Sequence, residues 1–284
     1  MKYMPKFSAK LLSAKGMLAE KYFPPGSGRY SRLATIAEKM DGFAAHKPER
    51  WFGVWAMVLA GANVALHVHD RWFYWDWSTF SFLFMAILIF SVWWDTFIQK
   101  FPVFPKKVDS IKSGGFTILI GFLLFLLGTI PEGFNVDVLV FGLPYFIFFL
   151  VGHMTYSIPI QVKDNGENHS PTKGEMAPML AIIIVLTSLS VVAGVIHDDP
   201  MISTIAAVYS PFPIVALIFP AAVRHLQRCR MYVVFIPAMF LAVRFPWFLI
   251  LTVLLFWMLR HYHYFRHGEV KPSFKVDLPT GHSD

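Results

Sequence analysis

The sequence predicts an all-α, polytopic membrane protein with about eight transmembrane helices. Of its 284 residues, 56% are hydrophobic and only 15% are charged, whereas soluble domains contain about 45–50% apolar and about 25% charged residues. The apolar residues stand in long runs separated by short polar segments, and the runs lack the alternation typical of a barrel strand. This pattern excludes a disordered protein and an ordinary soluble enzyme, and the single Cys229 excludes an internal disulfide.

Eight apolar segments are candidate transmembrane helices. The first, second, fourth, fifth and sixth are long enough to cross a hydrocarbon core of about 30 Å, and the third is short. The last two are shorter still and are separated by Arg244 and Pro246. They predict a tight transmembrane hairpin, with a re-entrant pair and one broken helix as alternatives. The segments are Trp51–His69, Ser78–Ile98, Gly115–Ile130, Val138–Ile160, Met176–Ile196, Met201–Val223, Met231–Val243 and Phe245–Leu259.

The Lys and Arg residues are distributed to one side of these segments. If all eight cross and the N-terminus is inside, 23 of the 25 Lys and Arg residues fall on the inner side, and only Arg71 and Arg244 do not. Such a bias is typical of cytoplasmic loops. We therefore expect a multi-pass protein of the cell membrane with both termini cytoplasmic. The net charge of +7 is then explained by loops that face anionic lipids, without a nucleic-acid partner.

Three regions follow from this topology. Residues 1–50 form a basic, amphipathic cytoplasmic head, in which apolar residues recur among lysines, and residues 30–45 are expected to form a second helix on the membrane surface. The head serves as a membrane anchor or, alternatively, as a docking segment for a partner. Residues 51–260 form the transmembrane bundle, and residues 261–284 form a basic cytoplasmic tail.

A group of histidines and carboxylates is expected at the outer face. Imidazole and carboxylate groups together bind zinc, copper, iron or manganese. The candidate metal ligands are His67, His69, His197 and Asp199. The alternative interpretation is that these residues cap helix ends at the interface. With His153 or His225 on the inner side, the outer histidines would also suit a haem protein.

A second candidate site lies at the inner face, where carboxylates stand beside basic residues. Carboxylates bind Mg²⁺ and basic side chains take the remaining charge of a diphosphate. Asp95 is the most informative of them, because an acid at a Trp-rich helix end is costly unless it has a partner. The candidates are Asp95 and Asp109 as catalytic residues, with Arg50, Lys107, Asp164 and Glu167 as residues that bind the cofactor or phosphate. The alternative is a solvated loop and a structural ion pair.

Several of these segments resemble the UbiA superfamily of intramembrane prenyltransferases. The resemblance covers residues 47–225 loosely and implies Mg²⁺-dependent prenyl transfer at the inner face. The chain departs from the family in lacking both Asp-rich motifs, with Asp95 alone at the first of them, and in having eight candidate spans instead of nine. The segments that carry the resemblance are Lys47-Pro48-Glu49-Arg50-Trp51, Lys112-Ser113-Gly114, the run from Tyr156-Ser157 to Lys163, Val192-Ala193-Gly194 and Arg224.

The sequence therefore leaves four functions to compare. The first is an enzyme that handles an isoprenoid or lipid substrate, with Mg²⁺ as cofactor and a prenyl lipid bound among the many Phe side chains. The second is a non-catalytic subunit of a larger membrane complex, whose partners would be other membrane subunits. The third is a transporter, although few charges lie within the spans. The fourth is a metal or haem enzyme that uses the outer His and Asp residues.

Overall fold

The chain folds into α-helices joined by short loops, as the sequence predicts. The computed structural model describes residues 18–45, 51–67, 70–100, 108–133, 135–158, 161–162, 168–169, 173–220 and 222–268. The helices are α1 (Leu18–Tyr22), α2 (Gly28–Lys39), α3 (Asp41–Ala45), α4 (Trp51–Leu66), α5 (Phe80–Lys100), α6 (Ile111–Thr129), α7 (Val136–Ser157), α8 (Lys173–Ile196), α9 (Pro200–Tyr209), α10 (Pro211–Ile218), α11 (Val223–Arg244) and α12 (Pro246–His267). Between α7 and α8, β1 (Gln161–Val162) pairs antiparallel with β2 (Asn168–His169).

The protein is an integral membrane protein with several membrane-spanning helices. Within the described residues, six stretches have the length and apolarity to cross a bilayer. They are α6, α7, α8 from Met176, α9 together with α10, α11 and α12. The apolar parts of α4 (Trp51–Leu66) and α5 (Phe80–Trp93) are shorter. The eight predicted segments thus correspond to these six spans and to helices α4 and α5, which have 16 and 21 residues.

The two shortest predicted segments belong to much longer helices. Met231–Val243 is part of α11, and Phe245–Leu259 lies in α12 apart from Phe245, which caps the end of α11. Each of these helices has 22 residues. The polar residues at 224–230 and 260–267 had marked the ends of the apolar runs, but backbone hydrogen bonds continue the helices through them. Helix α12 accordingly passes residue 260, the predicted end of the bundle, and ends at His267.

Helix boundaries elsewhere follow local chemistry. Ser110 begins α6 with a capping box, in which its side chain accepts a hydrogen bond from Ser113 N and the Ser113 side chain accepts one from Ser110 N. This cap starts the third span four residues before the apolar run. The predicted sixth span is divided into α9 and α10 at Ser210, because Pro211 has no N–H to continue the ladder.

The chain divides into two compact units. One unit contains residues 48–253. Its central element is α4, whose residues from Met57 to Val64 are all buried. Helices α4 and α6 approach so closely that a Cβ on Gly61 would overlap the carbonyl oxygen of Phe125, and one on Gly128 would overlap that of Val58. Small residues allow such contact between membrane helices, where packing replaces the hydrophobic effect as the driving force.

The outward faces of the helices in this unit are apolar. On α8, Ile182, Val185, Leu189 and Val192 recur at helical spacing, and each is about half exposed. A continuous exposed apolar stripe of this kind is unfavourable in water and is expected where lipid surrounds the protein.

The other unit contains residues 1–47 and 254–278, so it joins the predicted head to the C-terminal part of α12. Its core is formed by Ala19 and Ala37 from the head and by Tyr262, Tyr264 and Phe265 from α12. The apolar face of α2 is thus used for packing within the protein.

Candidate functional site

Polar side chains are concentrated at one end of the larger unit, where α4 ends and α5 begins. We call this the cluster end. Asn63 lies on α4, and His67 lies one turn later, directly after the end of this helix. The two residues are only 2% and 5% exposed. The Asn63 side chain donates a hydrogen bond to the hydroxyl of Tyr145 on α7, with 2.9 Å between Nδ2 and Oη.

Asp199 links three elements at this end. Its side chain caps α9 by accepting hydrogen bonds from Met201 N (3.0 Å) and Ile202 N (3.2 Å), an arrangement that also favours the negative charge through the helix dipole. The same carboxylate accepts a 3.0 Å hydrogen bond from the hydroxyl of Tyr145 and lies 3.5 Å from Nη1 of Arg71. The Asp199 residue that makes these contacts is only 2% exposed.

Arg244 joins the end of α11 to the loop that follows α4. It is 1% exposed, although it is one of the largest side chains in the protein. Its Nη2 donates to the carbonyl oxygen of Arg71 at 2.8 Å, and its own carbonyl oxygen accepts from Asp76 N at 2.8 Å. Its guanidinium carbon lies 4.7 Å from the ring centroid of Tyr74, a favourable cation–π distance. Its place at a helix C-terminus also favours the positive charge.

Asp76 completes the group. It accepts hydrogen bonds from the backbone and hydroxyl of Ser78 at 2.7 and 2.6 Å, and its other oxygen lies 3.8 Å from Nε2 of His67. We refer to the whole group as the charged cluster; its members are Asn63, His67, Arg71, Asp76, Tyr145, Asp199 and Arg244.

Two strained residues hold the carboxylates of the charged cluster. Trp75 has φ of 68° and Asp198 has φ of 50°, in the left-handed region where a non-glycine residue costs on the order of 1–3 kcal/mol. Trp75 directly precedes Asp76, and Asp198 directly precedes Asp199. We infer that both turns aim the following carboxylate into the protein.

The charged cluster has unused hydrogen-bonding capacity. Among the described residues, buried polar atoms without a hydrogen-bond partner include Nη1 and Nη2 of Arg71, Nε and Nη1 of Arg244, Nε2 of His67, Oδ1 of Asn63, Oγ1 of Thr79 and Nε1 of Trp247. All of these residues lie at the cluster end. An unmade hydrogen bond of a buried group costs about 1–3 kcal/mol, and more for a charged group. The carboxylates are already used, so the groups left over are mainly N–H donors.

An apolar cavity of about 190 Å³ adjoins the charged cluster. Tyr74 lines this cavity and contacts Arg244, and Met201 lines it and donates its backbone N–H to Asp199. The cavity therefore shares two residues with the contacts of the charged cluster. Its lining residues are Trp72, Tyr74, Pro200, Met201, Thr204, Phe240 and Val243.

The structure brings two of the four predicted metal ligands into the charged cluster. His67 and Asp199 both belong to the charged cluster, where each has protein partners. His197 is half-buried and meets the ring of Phe141 edge-on, with centroids 5.4 Å apart. His69 lies outside the described residues. In the part of the chain that the structure describes, no group of three or more His, Cys, Asp or Glu side chains is arranged to hold a metal. Metal binding by the predicted set stays a prediction.

The predicted inner-face site lies mostly outside the described residues. Arg50, Lys107, Asp164 and Glu167 all do, and Asp95 is described only as part of helix α5. Asp109 is exposed and accepts a hydrogen bond from the Ser113 hydroxyl at 3.2 Å. Its role in the predicted site stays a prediction.

The loops at this opposite end are tied together. Val108 N donates to the Ser157 hydroxyl at 2.7 Å, which joins the segment before α6 to the end of α7. The Tyr156 hydroxyl donates to Arg230 O on α11 at 2.9 Å, and the Arg230 guanidinium donates to the carbonyl oxygen of Ile158. The Tyr-Ser segment that carries the UbiA resemblance is therefore bonded to both neighbouring elements.

Of the charged cluster, only His67 and Asp199 are among the site residues selected from the sequence, and the two arginines, Arg71 and Arg244, are not. The signal was present, because these are the two basic residues that the positive-inside distribution leaves on the outer side. They are 173 positions apart in sequence and meet through a hydrogen bond. These two basic residues, which are exceptions to the predicted charge distribution, thus belong to the same charged cluster as His67.

Fold and site together define the class: a multi-pass helical membrane protein with a buried charged cluster at one end of its bundle. The chain matches no protein-family model, no curated protein and no solved structure.

Proposed function

We propose that this membrane protein handles an isoprenoid or other lipid with an anionic head group, and that Arg71 and Arg244 hold the head group. The observation that carries the proposal is the set of buried guanidinium N–H groups without partners. Both side chains are at least nine-tenths buried. A ligand with several acceptor oxygens would supply the missing bonds, and charge-assisted bonds to guanidinium are among the strong ones.

The charges of the cluster favour an anion over a cation. Asp199 is committed to Tyr145, the start of α9 and Arg71, and Asp76 is committed to Ser78. A cation would have to compete with these bonds for the carboxylate oxygens. An anion would meet no competing hydrogen bond at Nη2 of Arg71 or at Nε and Nη1 of Arg244. It would remove the penalty of leaving these groups unbonded in a region of low dielectric.

The neighbouring cavity suits the apolar part of such a ligand. Of its lining residues, Met201, Phe240 and Val243 are apolar, and Trp72 and Tyr74 present aromatic rings. An amphiphile would place its chain against these side chains and its head group toward Arg244, whose guanidinium faces Tyr74. This supports a lipid in preference to a free inorganic anion.

The test is a binding measurement in detergent with a long-chain isoprenyl monophosphate and the corresponding alcohol. We expect Arg244→Gln to weaken binding of the phosphate at least tenfold, because losing one partner of a buried charged hydrogen bond costs about 2–5 kcal/mol. Binding of the alcohol should change much less. The matched control is Arg228→Gln, on the same helix but exposed.

The proposal is wrong if Arg244→Gln, shown to be folded by gel filtration, binds the phosphate as tightly as the control variant does. It is equally wrong if the wild type prefers the alcohol. In either case the charged cluster is a closed structural network that fixes the ends of α4, α9 and α11.

A second candidate function is the UbiA-like prenyl transfer, with Mg²⁺ bound at the opposite end. It is favoured by the hydrogen bonds that bring the segment before α6, with Asp109, to the end of α7. Asp95, Arg50, Lys107, Asp164 and Glu167 would complete this site. Asp95→Asn separates function from structure: a functional role predicts normal thermal stability with loss of Mg²⁺-dependent diphosphate binding, whereas a structural role predicts lower stability with binding retained in the folded fraction.

A further inference from the structure

The apolar side of helix α2 is buried within the smaller unit. This side, which includes Tyr30, Leu33 and Ala37, packs against the core made with Tyr264 and Phe265. The Tyr30 hydroxyl donates to Tyr264 O at 3.0 Å, and the two rings meet edge-to-face with centroids 5.6 Å apart. This side of the helix is therefore occupied and unable to insert into lipid.

The exposed side of α2 carries a basic stripe. Arg29, Arg32, Ile36 and Lys39 stand at positions i, i+3, i+7 and i+10, so they share one face of the helix. All four are exposed, and Ile36 is 56% exposed. Glu38 is also exposed but points about 100° away from Lys39 around the helix axis. We call these four residues the α2 stripe.

The charge around the α2 stripe is positive overall. The described part of the unit contains the basic residues Lys21, Arg29, Arg32, Lys39, Arg260 and Arg266 and the acidic residues Glu20, Glu38 and Asp41. Asp41 is occupied by Arg266, with 2.9 Å between Nη2 and Oδ2. The stripe therefore keeps its three positive charges available to an outside partner.

We propose that the α2 stripe docks on the head groups of anionic lipids. Three basic side chains on one face match the negative surface of such a leaflet, and Ile36 in their midst reaches the head-group boundary. An amphipathic helix ordinarily inserts its apolar face into the membrane, but the apolar face of α2 is already packed inside the protein. The contact with lipid is therefore made by the charged face. This inference is independent of the proposed ligand of the charged cluster.

The experiment uses the full chain in nanodiscs of phosphatidylcholine alone and of phosphatidylcholine with about one third phosphatidylglycerol. Hydrogen exchange of the α2 amides is measured at low salt and at about 0.5 M NaCl. Each basic residue near an anionic surface favours the docked state about fivefold. We expect slower exchange in the anionic discs, and we expect this effect to disappear at high salt because the charges are screened.

The triple variant Arg29→Gln, Arg32→Gln, Lys39→Gln should lose at least tenfold of the lipid-dependent protection. Its exchange in phosphatidylcholine discs should match the wild type, which excludes a folding defect. The control Glu38→Gln, on the same helix but outside the stripe, should retain the lipid effect. Equal protection of wild-type α2 in both kinds of disc, or full lipid-dependent protection in the triple variant, overturns the proposal.

Discussion

The contact between α4 and α6 offers the sharpest test of the packing. A Cβ added at Gly128 would lie 2.9 Å from Ala62 N and closer still to Val58 O, whereas an ordinary contact needs 3.4–4 Å. Neither atom can rotate away, because both belong to the backbone of α4. The substitution Gly128→Ala must therefore push the two helices apart.

The size of the effect follows from the loss of contact. A gap of about 0.5–1 Å forfeits a quarter to a half of the dispersion energy, which is about 0.1–0.2 kcal/mol for each atom pair. For about 40–60 pairs, as many as one buried leucine makes, the loss is about 1–6 kcal/mol. Alanine recovers about 1 kcal/mol through its helix propensity. We expect Gly128→Ala to destabilise the protein by about 2–3 kcal/mol, in the range typical of overpacked cores.

Unfolding by SDS in mixed micelles, followed by tryptophan fluorescence, measures this change. The control is Gly115→Ala on the same helix, where nothing lies within 4 Å of the added Cβ, so its stability should be unchanged or slightly raised. If Gly128→Ala unfolds within about 0.5 kcal/mol of the control, the close approach of α4 and α6 is refuted.

Three further outcomes are expected. Tyr145→Phe removes the acceptor of Asn63 and should cost about 1–3 kcal/mol in the same titration; unchanged stability would contradict the network. Hydrogen bonds from Arg266, and to a lesser extent from Tyr262, hold the pKa of Asp41 below its usual value. The contact between Asp41 and Arg266 is therefore complete at neutral pH and is lost as the pH falls through the lowered pKa. Exchange of the α2 amides, corrected for intrinsic rates, should accelerate in acid in the wild type but not in Asp41→Asn. Reporter fusions at residue 45 and at the C-terminus should both be cytoplasmic, and an external tail would refute that topology.

Hydropathy was sufficient to locate the membrane helices but not their ends. Burial in lipid depends on the sum of many side chains, so a run such as that of α8 is visible in the sequence alone. Helix ends depend on single hydrogen bonds, such as the Ser110 cap. They also depend on how far polar turns extend a helix, as in α11 and α12. These are local choices that hydropathy does not record.

The sequence indicated individual residues of the charged cluster but not their contacts. His67 and Asp199 were selected as metal ligands, and the structure shows Asp199 as the cap of α9 with Tyr145 as a partner. The choice of residues was informative because both belong to the charged cluster. Helix capping by Asp199 was one of the two interpretations of the sequence, but its contacts with Arg71 and Tyr145 could not be predicted because these residues are distant in sequence.

The sequence by itself determined that this is a helical membrane protein, because transfer from water to lipid is additive along the chain. It also marked Arg71 and Arg244 as exceptions to the charge distribution. Only the tertiary structure decided that these two arginines meet, and that several of their other N–H groups lack hydrogen-bond partners. It alone decided that the apolar side of α2 packs against α12, leaving the basic side exposed. Pairing between distant side chains depends on how helices are arranged in three dimensions, and one-dimensional periodicity does not contain that arrangement.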